Sequence, residues 1–401
     1  MPKILIGLTL AWMYSTTLGL VTLAETVSER EELAKAIAAV SGTRMLADVT
    51  QLSSAGYHGR QSGTPDDHRS GLYVAERFGA LGLRPTGTTS LGPHARPWAT
   101  TQRIPTPQIS GTIQLELSTA GSTIPASLGP DYLPIFDSPA INATATVVFV
   151  GYGIADPSRG FDEYEGLDVR NRVVLFLRGK PRAYPVFLTL KDKQRIAREK
   201  GAVAFLTATG PIMSRYEAQR GFSGAPVAAY SEVPGERPLP GAWISTELAE
   251  SIMASQQRSL RGVQEELNRS VASRSVTTGV VAHLRWNSTR TLGTMVNVLG
   301  ITPGDVKTQA QERQTIVVGA HRDHFGRMGK LLFPGADDNA SGTAIVLEVA
   351  RALAQSDLHL KRNIVFVSFS GEEQGLLGSK LYIRSPAQPL NSTAVMINVD
   401  H

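Results

Sequence analysis

Three apolar runs in the last third of the chain end in the same way. "TIVVGA" (315–320) runs into His321 and Asp323, "NIVFVSFSG" (363–371) into Glu372 and Glu373, and "AVMINV" (394–399) into Asp400. Unbroken apolar runs of this length predict strands buried on both faces, as in a parallel sheet. Between the first two lies "SGTAIVLEVARALAQ" (341–355), where Val346, Val349, Ala350 and Leu353 fall at helical spacing and Asn339 or Ser341 can cap the start. "EQGLLGSKLYIRS" (373–385) is also helix-like. Strand, helix, strand, helix, strand predicts a right-handed parallel arrangement with helices on its faces.

Upstream the pattern is different. "SEREELAKAIAAV" (28–40) and "HRSGLYVAERFGALGL" (68–83) predict amphipathic helices, the second preceded by the Gly/Pro-rich loop "GYHGRQSGTPDD" (56–67). Residues 86–108, rich in Pro, Gly and Thr, predict irregular chain. Short strands then follow: "GTIQLELS" (111–118), "TATVVFVGYGI" (144–154), "NRVVLFLRG" (171–179), "PVAAYS" (226–231) and "GAWIS" (241–245). A helix and strand separated by Gly201 lie within residues 188–208, and residues 245–270 read as helical. This divides the chain into a strand-rich block over 111–255, a connector helix over 256–276, and an α/β domain assembled from 25–110 and 277–401.

Composition excludes several functions. The chain has 401 residues, no cysteine and a formal net charge of +5. Without cysteine there is no disulfide, thiolate metal site or cysteine nucleophile. Lys and Arg are scattered, with no basic tract, so nucleic-acid binding is not expected. The first residues pair Lys3 with an apolar stretch and with the small residues of Thr22-Leu23-Ala24. That is the pattern of a secretory signal over 1–24, and a secreted or periplasmic, bacterial protein is expected. An uncleaved anchor over 4–24 is the alternative and the only membrane contact expected.

The polar residues after the three apolar runs carry the chemistry. In an open α/β sheet, sites form beyond the carboxyl ends of the strands. His321, Asp323, Glu372, Glu373 and Asp400 all stand there, and "PGADDNASG" adds Asp337 and Asp338 at a helix entrance. Carboxylates that converge repel unless a cation lies among them. Imidazole with carboxylates and no thiolate suits a catalytic zinc site, and several carboxylates also allow two metals. Of two adjacent Glu residues, one can bind metal while the other serves as general base. Asp323 is placed to hydrogen-bond the second nitrogen of His321.

"GAHRDHFG", "PGADDNASG", "SFSGEEQGLLGS" and "INVD" resemble, in order and spacing, the four motifs of the M28 family of zinc-dependent aminopeptidases. The 56–85 segment is similar to that family's N-terminal part, and the strand-rich block to the protease-associated domain often inserted in it. The resemblance implies a mostly parallel, mixed central sheet flanked by helices, with a smaller β-rich insert. It implies that His321 binds one zinc, Asp323 orients it, Asp338 bridges two zincs, and Asp400 completes the first. It makes Glu372 the general base, Glu373 a ligand of the second zinc, and His324 no ligand, with Asp337 supporting the loop. The family pattern asks for a further His well downstream of the last Asp. His401 directly follows Asp400 on a strand, where successive side chains point to opposite faces, so it is not that ligand. The sequence is therefore expected to be C-terminally incomplete. The implied activity is removal of N-terminal residues from peptides and proteins. Alternatives are a carboxypeptidase or dipeptidase, a one-zinc glutaminyl cyclase-like acyltransferase, or a non-catalytic binding protein on the same scaffold.

Overall fold

The computed structural model describes residues 29–92, 95–215, 218, 222–231, 238–269, 273–304 and 314–400. The expected signal segment 1–24 and His401 lie outside them. Ten strands and eight helices carry the architecture. The strands are β1 (Ala99–Ser118), β2 (Tyr132–Pro134), β3 (Ile141–Phe149), β4 (Val173–Leu177), β5 (Ala204–Ala208), β6 (Gly241–Ile244), β7 (Val276–Thr302), β8 (Thr315–His321), β9 (Asn363–Phe369) and β10 (Thr393–Asn398). The helices are α1 (29–38), α2 (Gly42–Leu52), α3 (Pro65–Ala80), α4 (Leu190–Glu199), α5 (Thr246–Ala254), α6 (Leu260–Arg269), α7 (Gly342–Ala354) and α8 (Leu377–Arg384).

A mixed sheet runs in the order β10-β8-β9-β7-β3-β4-β5-β6-β2, with β1 paired to β7. The three apolar runs of the C-terminal third are β8, β9 and β10. They are parallel, with His321 opposite Phe369 and Gly319 opposite Asn398. This register brings the ends of all three strands to one edge. One face of the sheet packs Val318, Ala320 and Phe366 against Val74 and Phe78 of α3 and Val346 and Ala350 of α7. The other packs Val317, Val365 and Val367 against Tyr382 of α8. Alternate residues of each strand serve opposite layers, which is why the runs are apolar throughout. β10 departs from that expectation. Among the described residues it pairs only with β8, and Val395, Met396 and Ile397 are exposed because no described helix covers them.

Residues 86–108 are not irregular throughout: β1 begins at Ala99 and follows β7 antiparallel almost to its end. Pro105 and Pro107 fit because they are two residues apart and β7 lies on one side only. Both missing N–H groups then face the open edge. Strand β7, 27 residues long, links the C-terminal strands to the strand-rich block. That block has cores of its own. Val147, Leu175 and Leu206 face α5 and α6, and Val174, Phe176 and Phe205 face Ile196 and Ala197 of α4. The predicted connector contains α6, whose Leu260, Val263 and Leu267 are buried in the first of these cores. "PVAAYS" forms no strand; its backbone meets the neighbouring chain at the Phe136 N–H donating to Ala229.

Helix α3 starts three residues earlier than its apolar spacing suggests, with Thr64 accepting from the Asp67 N–H and Pro65 in the first turn. On α7, buried Glu348 accepts from Arg44 and Arg351 and from the Ser41 N–H, tying α2 to the sheet layer. The Arg351 and Arg44 bonds hold its carboxyl down at about 2. A depressed carboxyl stabilises the fold above its unfolded value near 4.5, and the contribution is lost as pH falls toward 2. Glu348→Gln is expected to cost about 2 kcal/mol at neutral pH. In urea titrations the gap from wild type should narrow steadily below pH ~4.5.

Candidate metal centre

His321 is the last residue of β8 and is 4% exposed. Its backbone carbonyl accepts from Thr343 at the start of α7, at 3.0 Å. Nδ1 lies 3.1 Å from the Asp323 backbone carbonyl and 3.6 Å from the Asp323 carboxylate. The nearer oxygen orienting the ring is thus the carbonyl. The Asp323 carboxylate, fully buried, accepts instead from Ser62 Oγ at 2.9 Å and from the Glu372 N–H at 3.3 Å. It joins the loop after β8 to the loop after β9. Nε2 of His321 faces Asp338 at 3.1 Å, Asp400 at 3.5 Å and Glu372 at 3.9 Å.

A second group stands beside the first. His324, Asp338 and Glu373 bring one ligand atom each within 4.8 Å of one another, as His321, Asp338 and Asp400 do. Asp338 belongs to both. His324 Nδ1 is 2.6 Å from Glu373 Oε1. The sequence reading placed His324 outside the ligand set, and the structure brings it to the second group.

Electrostatics follow from the crowding of acids. Burial pushes the Glu372 carboxyl up to about 7, with Glu373, Asp323 and Asp400 adding to it against the opposing pull of His321. Burial, then Asp338, pushes Glu373 well above the carboxylate range. Burial alone would lower the His321 imidazolium, but Asp323, Asp338 and Asp400 outweigh it and the net direction is up. Carboxylates set this close repel one another, and a divalent cation among them would relieve that repulsion. The spacing fits one. Zinc–ligand bonds of about 2.0–2.2 Å hold neighbouring tetrahedral ligands about 3.3 Å apart, and the His321 separations of 3.1 and 3.5 Å bracket that value.

Several residues that build the site were given no part in it by the sequence reading. Ser62 is one, linking Asp323 to the Gly371 N–H at 2.7 Å. Arg60, fully buried, donates to the carbonyls of Arg322 at 2.6 Å, Pro334 at 2.7 Å, Gly335 at 2.6 Å and Leu52. It clamps the His321 loop to the Asp338 loop. Gly59 before it has φ +75° and lies against the Phe333 and Gly326 carbonyls, where a Cβ has no room. Asn339 donates to the Val399 carbonyl and accepts from the Gly342 N–H, both at 2.9 Å, so the expected helix cap also fixes Asp338 relative to Asp400. Tyr230, from the strand-rich block, accepts from Gln61 at 3.1 Å and stacks on Phe325 next to His324. Only the Gly-rich surroundings of Arg60 and Ser62 hinted at their role; their partners lie far away along the chain. Arg60→Met should cost about 3–5 kcal/mol in urea unfolding, since it leaves several buried carbonyls without a donor.

Residues 297–401, which span β8 to Asp400, match the model of peptidase family M28. The fold agrees over most of the chain. A Peptidase M28 precursor from Shewanella amazonensis SB2B superposes over 94% of this chain and 74% of its own, with a TM-score of 0.63 and 19% identity. The aminopeptidase from Aneurinibacillus sp. strain AM-1 superposes over 90% and 70%, with a TM-score of 0.57 and 20% identity. Over residues 297–401 the chain is thus similar to peptidase family M28.

Among curated relatives, Leucine aminopeptidase 1 of Pyrenophora tritici-repentis is 40% identical over 93 residues, 22% of this chain and 24% of the relative. Leucine aminopeptidase 1 of Paracoccidioides brasiliensis is 46% identical over 72 residues, 17% of this chain and 19% of the relative. The chain thus spans about a quarter or less of the curated relatives it matches. A solved zinc aminopeptidase from Bacillus subtilis shares the fold, with a TM-score of 0.55 and 22% identity over 90% of this chain and 69% of its own. Among the described residues, no helix is long and apolar enough to cross a membrane.

Proposed function

We propose that this chain is an exported zinc aminopeptidase of family M28 with two metal sites that share Asp338. His321, Asp338 and Asp400 would hold one zinc, and Asp338 and Glu373 would contribute to the other. Bound there, zinc supplies Lewis-acid polarisation of a carbonyl and lowers the pKa of water. Glu372 takes a proton from the attacking water and delivers it to the amine that leaves as the peptide bond breaks. Asp323 keeps the imidazole of His321 oriented and holds the backbone N–H of Glu372. The observation that carries this reading is the shared position of Asp338 between two ligand groups, with Glu372 beside the first.

The strand-rich block, protease-associated-like in its sequence pattern, would shape access through Tyr230 and Phe136, which pack on Phe325. Export rests on Lys3, the apolar stretch after it and the small residues ending at Ala24. The names of the curated relatives make a leucyl anilide the first substrate to try. Hydrolysis should require a free amino group, vanish with a chelator and return with zinc. Equal cleavage of the acetyl-blocked substrate would instead favour a carboxypeptidase or dipeptidase, and chelator-resistant cleavage would refute the metal centre.

A further inference from the structure

We infer that the strand-rich block carries a membrane-docking edge: the loops after β4 and β5 rest on an anionic bilayer and seat Val186, Phe187 and Met213 among its lipids. β4 and β5 are parallel, with Leu177 opposite Ala208, so the two loops leave the sheet side by side. Each carries apolar side chains into solvent. Phe187 is 79% exposed, and Val186 and Met213 are each 38% exposed. Each also carries cations: exposed Arg182 and half-buried Lys191 flank the first tip, and exposed Arg215 follows the second. Residues 168–200 hold ten Lys and Arg against three acids, although the whole chain has a net charge of only +5. On α4, Lys191, Arg195 and Arg198 follow one another at helical spacing on the face away from buried Lys193 and Ala197. Folding thus gathers on one surface charges that are dispersed along the sequence.

The tips are held out by what lies beneath them. Buried Lys193 donates to the carbonyls of Leu177 at 2.7 Å and Gly179 at 2.6 Å, which fixes the start of the first loop. Buried Tyr184 meets Phe161 edge to face at 4.9 Å and donates to Asp156 at 3.0 Å. Pro185 stiffens the chain after it, and Thr189 ends the loop by capping α4. Val186 and Phe187 stand between these anchors. In the second loop, buried Gln264 accepts from the Ile212 N–H at 2.9 Å and donates to the Ile212 carbonyl at 3.0 Å, next to Met213. Single exposed apolar residues are ordinary on a protein surface. Apolar tips on adjacent loops, ringed by Lys and Arg, are the composition that sits at the boundary of headgroups and acyl chains. Val186 and Met213 offer no ring for a base to stack on, which favours lipid over nucleic acid as the occupant. The metal centre is elsewhere. β9 ends beside Val298 of β7, whereas β3, which shares its carboxyl edge with β4 and β5, ends beside Val276. The tips therefore lie toward the opposite end of β7, and substitutions there do not touch the centre.

Co-sedimentation of the full chain with lipid vesicles tests this. Vesicles of phosphatidylglycerol and phosphatidylcholine in equal parts should bind it, and less strongly as salt is added. Phe187→Ser should weaken that binding roughly 10-fold, whereas Phe187→Trp should preserve it, because an indole also sits well at the interface. Arg182→Glu combined with Arg215→Glu should weaken it about 10-fold or more. Every variant keeps residues 1–24, so any binding given by that apolar stretch is common to all of them. Thermal unfolding should match wild type, since the substituted side chains are exposed. Wild-type binding by Phe187→Ser or by the double variant overturns the inference. So does a chain that ignores anionic vesicles, or one retained by RNA and by no vesicle.

Discussion

Glu372→Gln is expected to lower kcat by about 10²–10⁴-fold while both cations stay bound. The substitution keeps the shape of the side chain and removes only its ability to accept a proton. Glu372 lies 3.9 Å from His321 Nε2, beside the first ligand group rather than at its centre, so the cost to binding should be small. Its backbone N–H donates to Asp323, and that bond is indifferent to the side chain. The pH profile provides a second readout. Burial and neighbouring acids push this carboxyl up to about 7, and a cation nearby would draw it down again. A base must be deprotonated to work, so the wild-type rate should climb with pH through a limb at or below about 7, and the variant should lack that limb. Metal content measured alongside activity decides the matter. Full activity in Glu372→Gln refutes the assignment, and loss of metal with activity would make the residue a ligand instead.

Asp338→Ala should abolish both sites at once. Asp338 is the one residue common to the two groups, so its loss leaves an imidazole and one carboxylate in each. Activity should fall by about 10³-fold or more, as expected when several kcal/mol of transition-state charge stabilisation disappear. Zinc content with two equivalents of metal supplied should fall from two ions toward none. Asp337→Asn, next door, is the control and should keep both ions, because neither group includes it. Thermal unfolding of the metal-free proteins guards against a folding defect. Removal of a carboxylate from an acid-rich pocket should leave the apo variant at least as stable as apo wild type. An Asp338→Ala chain that keeps both ions would refute the bridging role.

The C-terminal α/β layers were readable because their signals are local. "TIVVGA" and "NIVFVSFS" lie between two helical layers, so every side chain is buried and the apolar run is unbroken. Apolar composition could not show that β10 has a single partner strand among the described residues, since a strand's neighbours are not written in its own residues. Proline content misled over 99–108. A penalty that applies inside a sheet vanishes at an open edge, and only the pairing with β7 shows which side is open. The 27-residue strand β7 was likewise hidden, because its two halves pack against different cores.

By itself the sequence determined the chemical types: imidazole and carboxylates without thiolates, placed at the ends of consecutive apolar runs. Parallel strands end at one sheet edge, so that order along the chain already implied convergence in space. Which atoms face one another was decided only by the tertiary structure. The Asp323 carbonyl, rather than its carboxylate, lies nearer the His321 ring. Ser62 and Arg60 reach the site from more than 250 residues away in sequence. His324 turns toward Glu373 because Gly335 leaves space beneath its ring. Each of these depends on the direction of a side chain in a loop, and loop geometry is set by packing between distant segments rather than by local periodicity.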